Sequence, residues 1–313
     1  MNILKLDKSY KTPKYRGIAL GNFDGVHLGH QQLLKAVTEK AREKNLSPGV
    51  FTFLNHPRKY HGETTLKEIT SLQKKVEIFA GMGIKELILR TFNNEIKNME
   101  PEDFIRDILV RELKSKLIVV GFDYRFGKKA RGNPRMLREM GEKLGFEVCT
   151  IEPYNFQGEK ISSSKIRSLI EAGKVETLEK YLGRHYGIRG PVIRGKGLGT
   201  TLGFPTANIK IDSNQILPKS GVYATYSKVD QKIYPSVTSV GHQPKFNDQS
   251  AEVESFLMDY EGDLYSCTVE TIFVKFLRGQ IPFETPDTLS RQIEKDAKEA
   301  KLHLHSRTDM INY

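Results

Sequence analysis

The chain has 313 residues, 38% of them hydrophobic, with 49 Lys and Arg against 38 Asp and Glu for a net charge of +11. That length and apolar content suit two domains with buried cores, and the positive balance favours an anionic partner (a nucleotide, a nucleic acid or a membrane surface) without choosing among them. Two distant cysteines, Cys149 and Cys267, argue against a disulfide framework or a zinc knuckle, and no run resembles a signal peptide or a membrane span, so a soluble cytoplasmic protein is expected.

Short apolar runs at 17–21, 49–54, 86–92, 117–121 and 146–151 predict strands, with helical patterns between them. Leu33, Leu34, Val37 and Ala41 share one helical face directly after the first strand. Strands alternating with crossover helices make a parallel α/β sheet, whose ligands bind beyond the carboxyl ends of its strands. The loops after the first and fourth of these strands therefore matter most.

The first such loop reads Gly21-Asn22-Phe23-Asp24-Gly25-Val26-His27-Leu28-Gly29-His30-Gln31. His27 and His30 are three apart, on one face at a helix N-terminus, where imidazoles and free backbone N–H groups together neutralise a polyphosphate. Gly29 lets a phosphate approach the backbone. Zinc is disfavoured because the His-x-x-His spacing lacks further ligands. Asn22 and Asp24 either bind nucleotide or shape the turn, and Asp24 has helix capping as a further option. A histidine pair alone is more often a surface or core feature, and the ten surrounding residues change that balance.

Those residues resemble the His-x-Gly-His signature of the nucleotidyltransferase superfamily. The full segment is similar to the prokaryotic bifunctional riboflavin kinase and FAD synthetase family. The resemblance continues through Val120-Gly121-Phe122-Asp123-Tyr124-Arg125-Phe126-Gly127 and Ile161-Ser162-Ser163-Ser164-Lys165-Ile166-Arg167. Physically, Ser162 to Ser164 suit a helix cap with hydroxyls for phosphate, and Arg167 one turn further in suits bidentate phosphate binding. The resemblance implies a Rossmann-like nucleotidyltransferase domain over 1–184 that joins FMN to ATP with release of pyrophosphate, helped by Mg²⁺. His27, His30 and Arg167 would be catalytic, with Asn22, Phe23, Asp24, Gly29, Ser163 and Ser164 at the ATP phosphates. Thr52-Phe53-Leu54-Asn55-His56-Pro57-Arg58 is similar to a family segment near the flavin, which assigns Phe53, His56, Pro57 and Asp123 to flavin contact. Leu54 and Asn55 stand where the family commonly has Glu and Pro.

A helical stretch at 165–182 with Gly183 as its stop precedes a change of character, and the domain boundary is placed at 184/185. Runs at 186–193, 222–227, 233–240, 253–260 and 264–276 are rich in β-branched and aromatic residues between Gly, Pro, Asn and Asp turns, which predicts a small antiparallel β-barrel over 185–313. Leu289, Ile293, Ala297 and Ala300 predict a C-terminal helix at 288–302 that packs on it.

The run from Arg194 through Gly195, Lys196, Gly197, Leu198, Gly199 and on through Gly203-Phe204-Pro205-Thr206-Ala207-Asn208 resembles the riboflavin kinase signature. Glycines 195, 197 and 199 form a backbone-exposing loop suited to ATP phosphates. Thr206 and Asn208, two apart in an extended segment, face the same way with oxygens that suit Mg²⁺. By the same resemblance Glu254 is the catalytic base that takes the ribityl proton, and Arg278 contacts the flavin. The family pattern is departed from at Thr200, Ser239, Lys245 and Ser266, and Leu277-Arg278 is not followed by Pro-Glu. A lost loop arginine removes a charge-assisted contact of roughly 1.5–3 kcal/mol.

The expected function is FAD biosynthesis through both steps, with ATP, FMN and riboflavin as small-molecule partners. The alternatives are an FAD synthetase whose kinase-like module is weak, conditional or inactive, and a non-catalytic flavin- or nucleic-acid-binding protein. Neither a nucleic acid nor a membrane is expected as a partner, because Lys and Arg are scattered through helical faces instead of clustered with aromatics.

Overall fold

The structure, a computed structural model, describes residues 1–6, 14–60, 62–63, 65–195, 203–242, 251–265 and 267–304. They form two compact units, one of residues 1–66 and 70–162, the other of residues 67–69 and those from Ser163 onward.

The first unit is a six-stranded parallel sheet made of β1 (Asn2–Lys5), β2 (Arg16–Leu20), β3 (Ser47–Phe53), β4 (Glu86–Arg90), β5 (Ser115–Gly121) and β6 (Glu147–Ile151) in the order β1-β4-β3-β2-β5-β6. The connecting helices are α1 (Leu28–Glu43), α2 (Pro57–Tyr60), α3 (Leu72–Gly81), α4 (Asn94–Asn98), α5 (Pro101–Asp103), which runs on as a π-helical Phe104–Glu112, and α6 (Pro134–Leu144). Alternation along the strands feeds two cores. Ala19, Val50, Leu87, Leu89, Leu117 and Val119 pack with Leu33, Leu34 and Val37 of α1 and Phe79 of α3. Ile18, Leu20, Phe51, Ile88, Ile118 and Val120 face the other way, onto Phe104, Ile105, Ile108, Leu109 and Leu137. Burial on both faces explains why these strands read as continuous apolar runs. β1 is an edge strand that its mixed polar sequence did not announce; it pairs with β4 from Asn2↔Glu86 to Lys5↔Leu89.

β3 and β4 wind to one side of β2, β5 and β6 to the other, so strand order reverses between β2 and β5. A doubly wound sheet opens its binding crevice at that reversal, outside the carboxyl ends of the two strands. The loops singled out from sequence are the two that follow β2 and β5.

The second unit begins with α7 (Ser163–Glu171) and α8 (Val175–Leu182). The single helix expected at 165–182 is thus two helices, because the chain turns at Gly173, whose φ of 72° suits a residue without Cβ. A closed antiparallel barrel follows: β9 (Tyr186–Ile193), β10 (Thr206–Ile209), β11 (Gly221–Val229), β12 (Lys232–His242), β13 (Ala251–Leu257) and β14 (Thr268–Arg278), in the order β10-β13-β12-β11-β14-β9. Its outer face carries Val222, Ala224, Tyr226, Val237, Ile272 and Val274 against Ala300 and Leu304 of α9 (Pro286–Leu304). Its interior is partly polar. Thr225 Oγ1 lies 2.8 Å from Ser236 Oγ and 2.7 Å from Thr238 Oγ1, Thr238 Oγ1 lies 2.7 Å from Ser255 Oγ, and Ser227 donates to Ser236 at 2.9 Å. All are sealed from solvent, and partnering one another removes the penalty of burying them.

At the amino end of the parallel sheet, Arg16 of β2 and Glu86 of β4 form a buried ion pair, and Arg16 Nη1 also donates to Leu113 O at 3.1 Å. Removing one partner leaves the other charge buried and unmatched. Arg16→Met is expected to destabilise the first unit by about 3–5 kcal/mol in urea unfolding followed by circular dichroism, and Arg16→Met with Glu86→Leu to recover most of that loss.

Candidate functional site

In the first unit the chain leaves β2 at Gly21 and makes a tight turn before α1. Phe23, Gly25 and Val26 all take positive φ, at 49°, 85° and 39°. Asp24 does not cap α1. It is buried, and its Oδ1 accepts the Thr70 N–H at 3.2 Å, which ties the turn to the start of α3. The helix is capped by His27, whose Nδ1 accepts the His30 N–H at 3.2 Å. An accepting Nδ1 carries no proton, so the neutral ring holds its proton on Nε2 and can donate from there.

The two imidazoles stack at 3.7 Å between centroids with 15° between planes. Gly29 is what allows this: a Cβ there would lie 3.2 Å from His27 Cε1 and Nδ1. Phe23 is fully buried, 5.2 Å from the His30 ring and edge-on to Phe79 at 5.6 Å, so its side chain is a floor for the histidines and only its backbone faces the turn. Burial pushes the His30 pKa down, and a proton on His27, were one present, and the Lys75 ammonium act in the same direction. The His30 Nδ1 is buried with no hydrogen-bond partner among the described residues. The Asn22 carbonyl accepts from Thr52 Oγ1 and from Lys75 Nζ, each at 3.4 Å. Asn22, Phe23, Asp24, His27, Gly29 and His30 are thus one construction, to which Lys75 belongs without having been singled out from sequence.

The other predicted residues of this half fall in two places. Phe53 lies edge-on to Phe51 at 5.5 Å and to Phe92 at 5.1 Å, and Tyr60 packs on Phe92 at 5.4 Å; the part of Phe92 and Tyr60 in this aromatic group was missed from sequence. His56 Nδ1 accepts the Arg58 N–H at 3.2 Å and Pro57 opens α2. Asn55 accounts for its own departure: its amide donates to Phe92 O at 2.9 Å and accepts from Phe92 N at 2.8 Å, clamping the ends of β3 and β4 together. Asp123, in the loop after β5, is exposed and ion-paired to Lys160, whose ammonium lies 4.6 Å from the Phe122 ring centroid. Lys160 comes from the two-residue ladder of β7 (Asn155–Phe156) and β8 (Glu159–Lys160). Ser163, Ser164 and Arg167 belong to the second unit. Ser164 is exposed, whereas Arg167 is buried and donates from Nε to Lys67 O at 2.8 Å.

In the barrel, strand register places Arg278, Val222, Ser239, Glu254 and Asn208 in one row across β14, β11, β12, β13 and β10. Cross-strand partners share a face, so this row lies on the outer side, with Thr206 two residues along from Asn208. Gly195 packs so closely on the Asn208 amide that a Cβ there would overlap it. Asn208, Thr206 and Glu254 offer hard oxygen donors from one face, the chemistry a divalent cation shared with phosphate requires. Among the described residues no group of three or more His, Cys, Asp or Glu is placed to hold a metal ion.

Arg278 is fixed by Asp296 of α9, through Nε to Oδ1 at 3.0 Å and Nη2 to Oδ2 at 2.6 Å, and Asp296 also accepts from Gln292. Two departures from the family pattern meet here: Gln280 Nε2 donates to Ser239 Oγ at 3.0 Å and to Val240 O at 3.2 Å. Gly197, Gly199, Thr200, Lys245 and Ser266 lie outside the described residues.

Family models described as FAD synthetase and riboflavin kinase match residues 10–165 and 182–304. A relative in Listeria monocytogenes named bifunctional riboflavin kinase/FMN adenylyltransferase is 33% identical over 287 residues, 91% of each chain. One of the same name in Bacillus subtilis is 35% identical over 290 residues, 90% of each chain. The crystal structure of a macrolide-efflux protein from Streptococcus pneumoniae superposes with a TM-score of 0.89 at 27% identity, covering 96% of this chain and 99% of that one.

His30 sets a pH dependence. In the unfolded chain it gains a proton near 6.5, while in the fold it stays neutral to lower pH. The unfolded state then binds more protons, so stability is lost as pH falls through that value. His30→Asn is expected to lose less Tm than the wild type between about pH 7.5 and pH 5.5; equal losses would show that the folded ring titrates normally.

Proposed function

The chain belongs to the bifunctional riboflavin kinase/FMN adenylyltransferase family, and from that premise we propose that residues 1–184 transfer AMP from ATP to FMN while residues 185–313 phosphorylate riboflavin. What supports this is the geometry in each half: the capped, stacked His27 and His30 at the reversal of strand order, and Asn208 opposite Glu254 on the barrel. The streptococcal structure bears an efflux name, but the two relatives at about a third identity agree with both family models, and that agreement is the premise taken. The two cysteines are free thiols, which suits the reducing cytoplasm where we place the enzyme.

In the first reaction a phosphate oxygen of FMN attacks the α-phosphorus of ATP, the bond to the β-phosphate bridge breaks, and pyrophosphate leaves with the electron pair. The protein brings two anions together and holds charge as it moves to the leaving group. His27 donates from Nε2, the nitrogen its cap leaves protonated, and the N-terminus of α1 adds backbone N–H groups. His30 lies against it, and Asn22, Asp24 and Gly29 hold the turn. Ser163, Ser164 and Arg167 are assigned to the ATP phosphates, and the aromatic group of Phe53, together with His56, Pro57 and Asp123, to the flavin.

In the second reaction the terminal ribityl hydroxyl of riboflavin attacks the γ-phosphorus of ATP, its proton passes to Glu254, and ADP leaves. Arg278, held by Asp296, is assigned to the flavin and Gly195 to the ATP phosphates. Mg²⁺ bound with ATP, held by Thr206 and Asn208, would screen the phosphate charge. The contact between Gln280 and Ser239 favours a working kinase, because those two departures complete each other's hydrogen bonding.

The test is chromatography of products from the full chain with ATP and Mg²⁺, given riboflavin or FMN. FMN and FAD are expected from riboflavin, with His27→Ala losing FAD formation and Glu254→Ala losing FMN formation. FAD from FMN but nothing from riboflavin would remove the kinase step, and no product from either would overturn the reading. Gly195→Ala, which drives Asn208 from its place, is expected to cut the kinase rate at least tenfold and leave adenylyl transfer intact.

A further inference from the structure

α3 is set against the histidine turn at two levels. Thr70, just before the helix, gives its N–H to Asp24, and Ser71 caps the helix by accepting the Lys74 N–H at 3.3 Å. Lys75 and Phe79 are four apart and therefore on one face. Phe79 meets Phe23, the floor under His30, while Lys75 reaches the Asn22 carbonyl. Both point at the turn.

Lys75 is only 8% exposed, an unusual place for a lysine. Among the described residues its one hydrogen bond is the long 3.4 Å contact to Asn22 O, and no carboxylate there pairs with it. An ammonium has three donors, so two remain for something else. Removing a cation from water is unfavourable unless a counter-charge arrives, and no ion pair to Lys75 forms among the described residues. α1 has no acidic residue in its first turn, and Asp24 gives Oδ1 to Thr70. The imidazoles do not fill the cationic role, because His30 is held neutral by burial and by its neighbours and His27 spends Nδ1 as an acceptor. A polyphosphate at this helix N-terminus would meet backbone N–H groups and a neutral histidine pair, with Lys75 as the full positive charge beneath them.

We propose that Lys75 is a phosphate-neutralising residue of the first site, giving its two remaining donors to the polyphosphate of the nucleotide as it settles on the turn from Asn22 to His30. This rests on the adenylyl-transfer reading for the identity of the nucleotide, but the charge placement is tested without it. Lys75 thereby links anion binding to the geometry of the turn, since the same ammonium holds the Asn22 carbonyl.

The experiment uses the full chain and inorganic pyrophosphate with Mg²⁺ as probe. Calorimetric titration of Lys75→Met is expected to show pyrophosphate affinity reduced about tenfold or more, the loss of one charge-assisted contact, with Lys75→Arg recovering most of it. Unchanged affinity in a folded Lys75→Met overturns the proposal. A second measurement needs no destabilising variant. In nitrogen-15 labelled wild type, the side-chain ammonium resonance of Lys75, assigned by its loss in Lys75→Arg, is expected to shift on adding pyrophosphate; an unmoved resonance at saturation also overturns it. FAD formation is measured separately, so a chain that binds pyrophosphate through Lys75 yet makes no FAD would count against the reaction and not against the residue.

Discussion

His27 gives one ring nitrogen to its own helix, and most of the first site follows from that bond. Accepting the His30 N–H fixes the tautomer, so the donor nitrogen is chosen before any substrate arrives. It also lays the His27 ring over the first turn, where the His30 ring meets it face to face. The stack requires Gly29 beneath His27 and Phe23 beneath His30, and Phe23 in turn requires Phe79. Two imidazoles in van der Waals contact resist being charged together. The polar chemistry thus rests on an aromatic foundation continuous with the sheet core.

The second unit solves the corresponding problem with strand register. Antiparallel pairing carries Asn208, Glu254, Ser239 and Arg278 into one line across five strands, although they are far apart in sequence. The next residue along each of β10, β12 and β13 points inward, so the line that faces a ligand and the lining of the barrel are set by one alternation. α9 covers part of the outer face and contributes Asp296, which orients the arginine at the end of the line.

Much of this was legible in the sequence, for physical reasons. Strands buried on both faces are continuous apolar runs, so β2 to β5 announced themselves, and the turn before α1 carries its chemistry in contiguous residues. β1 was missed because its short sequence mixes polar and apolar residues. The break between α7 and α8 was missed because Leu169, Ile170, Val175 and Leu178 keep an apolar character across Gly173. Asp24 looked like a helix cap by residue type, yet that role went to His27, a distinction set by backbone angles in the turn. Lys75 was invisible because a lysine in an amphipathic helix ordinarily faces water; its signal was its phase, four residues before the buried Phe79. The Gln280 to Ser239 contact joins two positions that each looked like a loss when read alone.

The hydroxyl ladder inside the barrel constrains how this sequence can drift. Thr225, Ser236, Thr238 and Ser255 are each donor and acceptor to a neighbour, and a hydroxyl can turn to suit whichever role is left open. Replacing any one with an apolar residue strands the next without access to water, so single steps toward an oily lining run uphill even where the finished lining would be stable. Descendants of this barrel should therefore exchange its inner hydroxyls together and not singly, Ser227 included with Thr225, Ser236, Thr238 and Ser255.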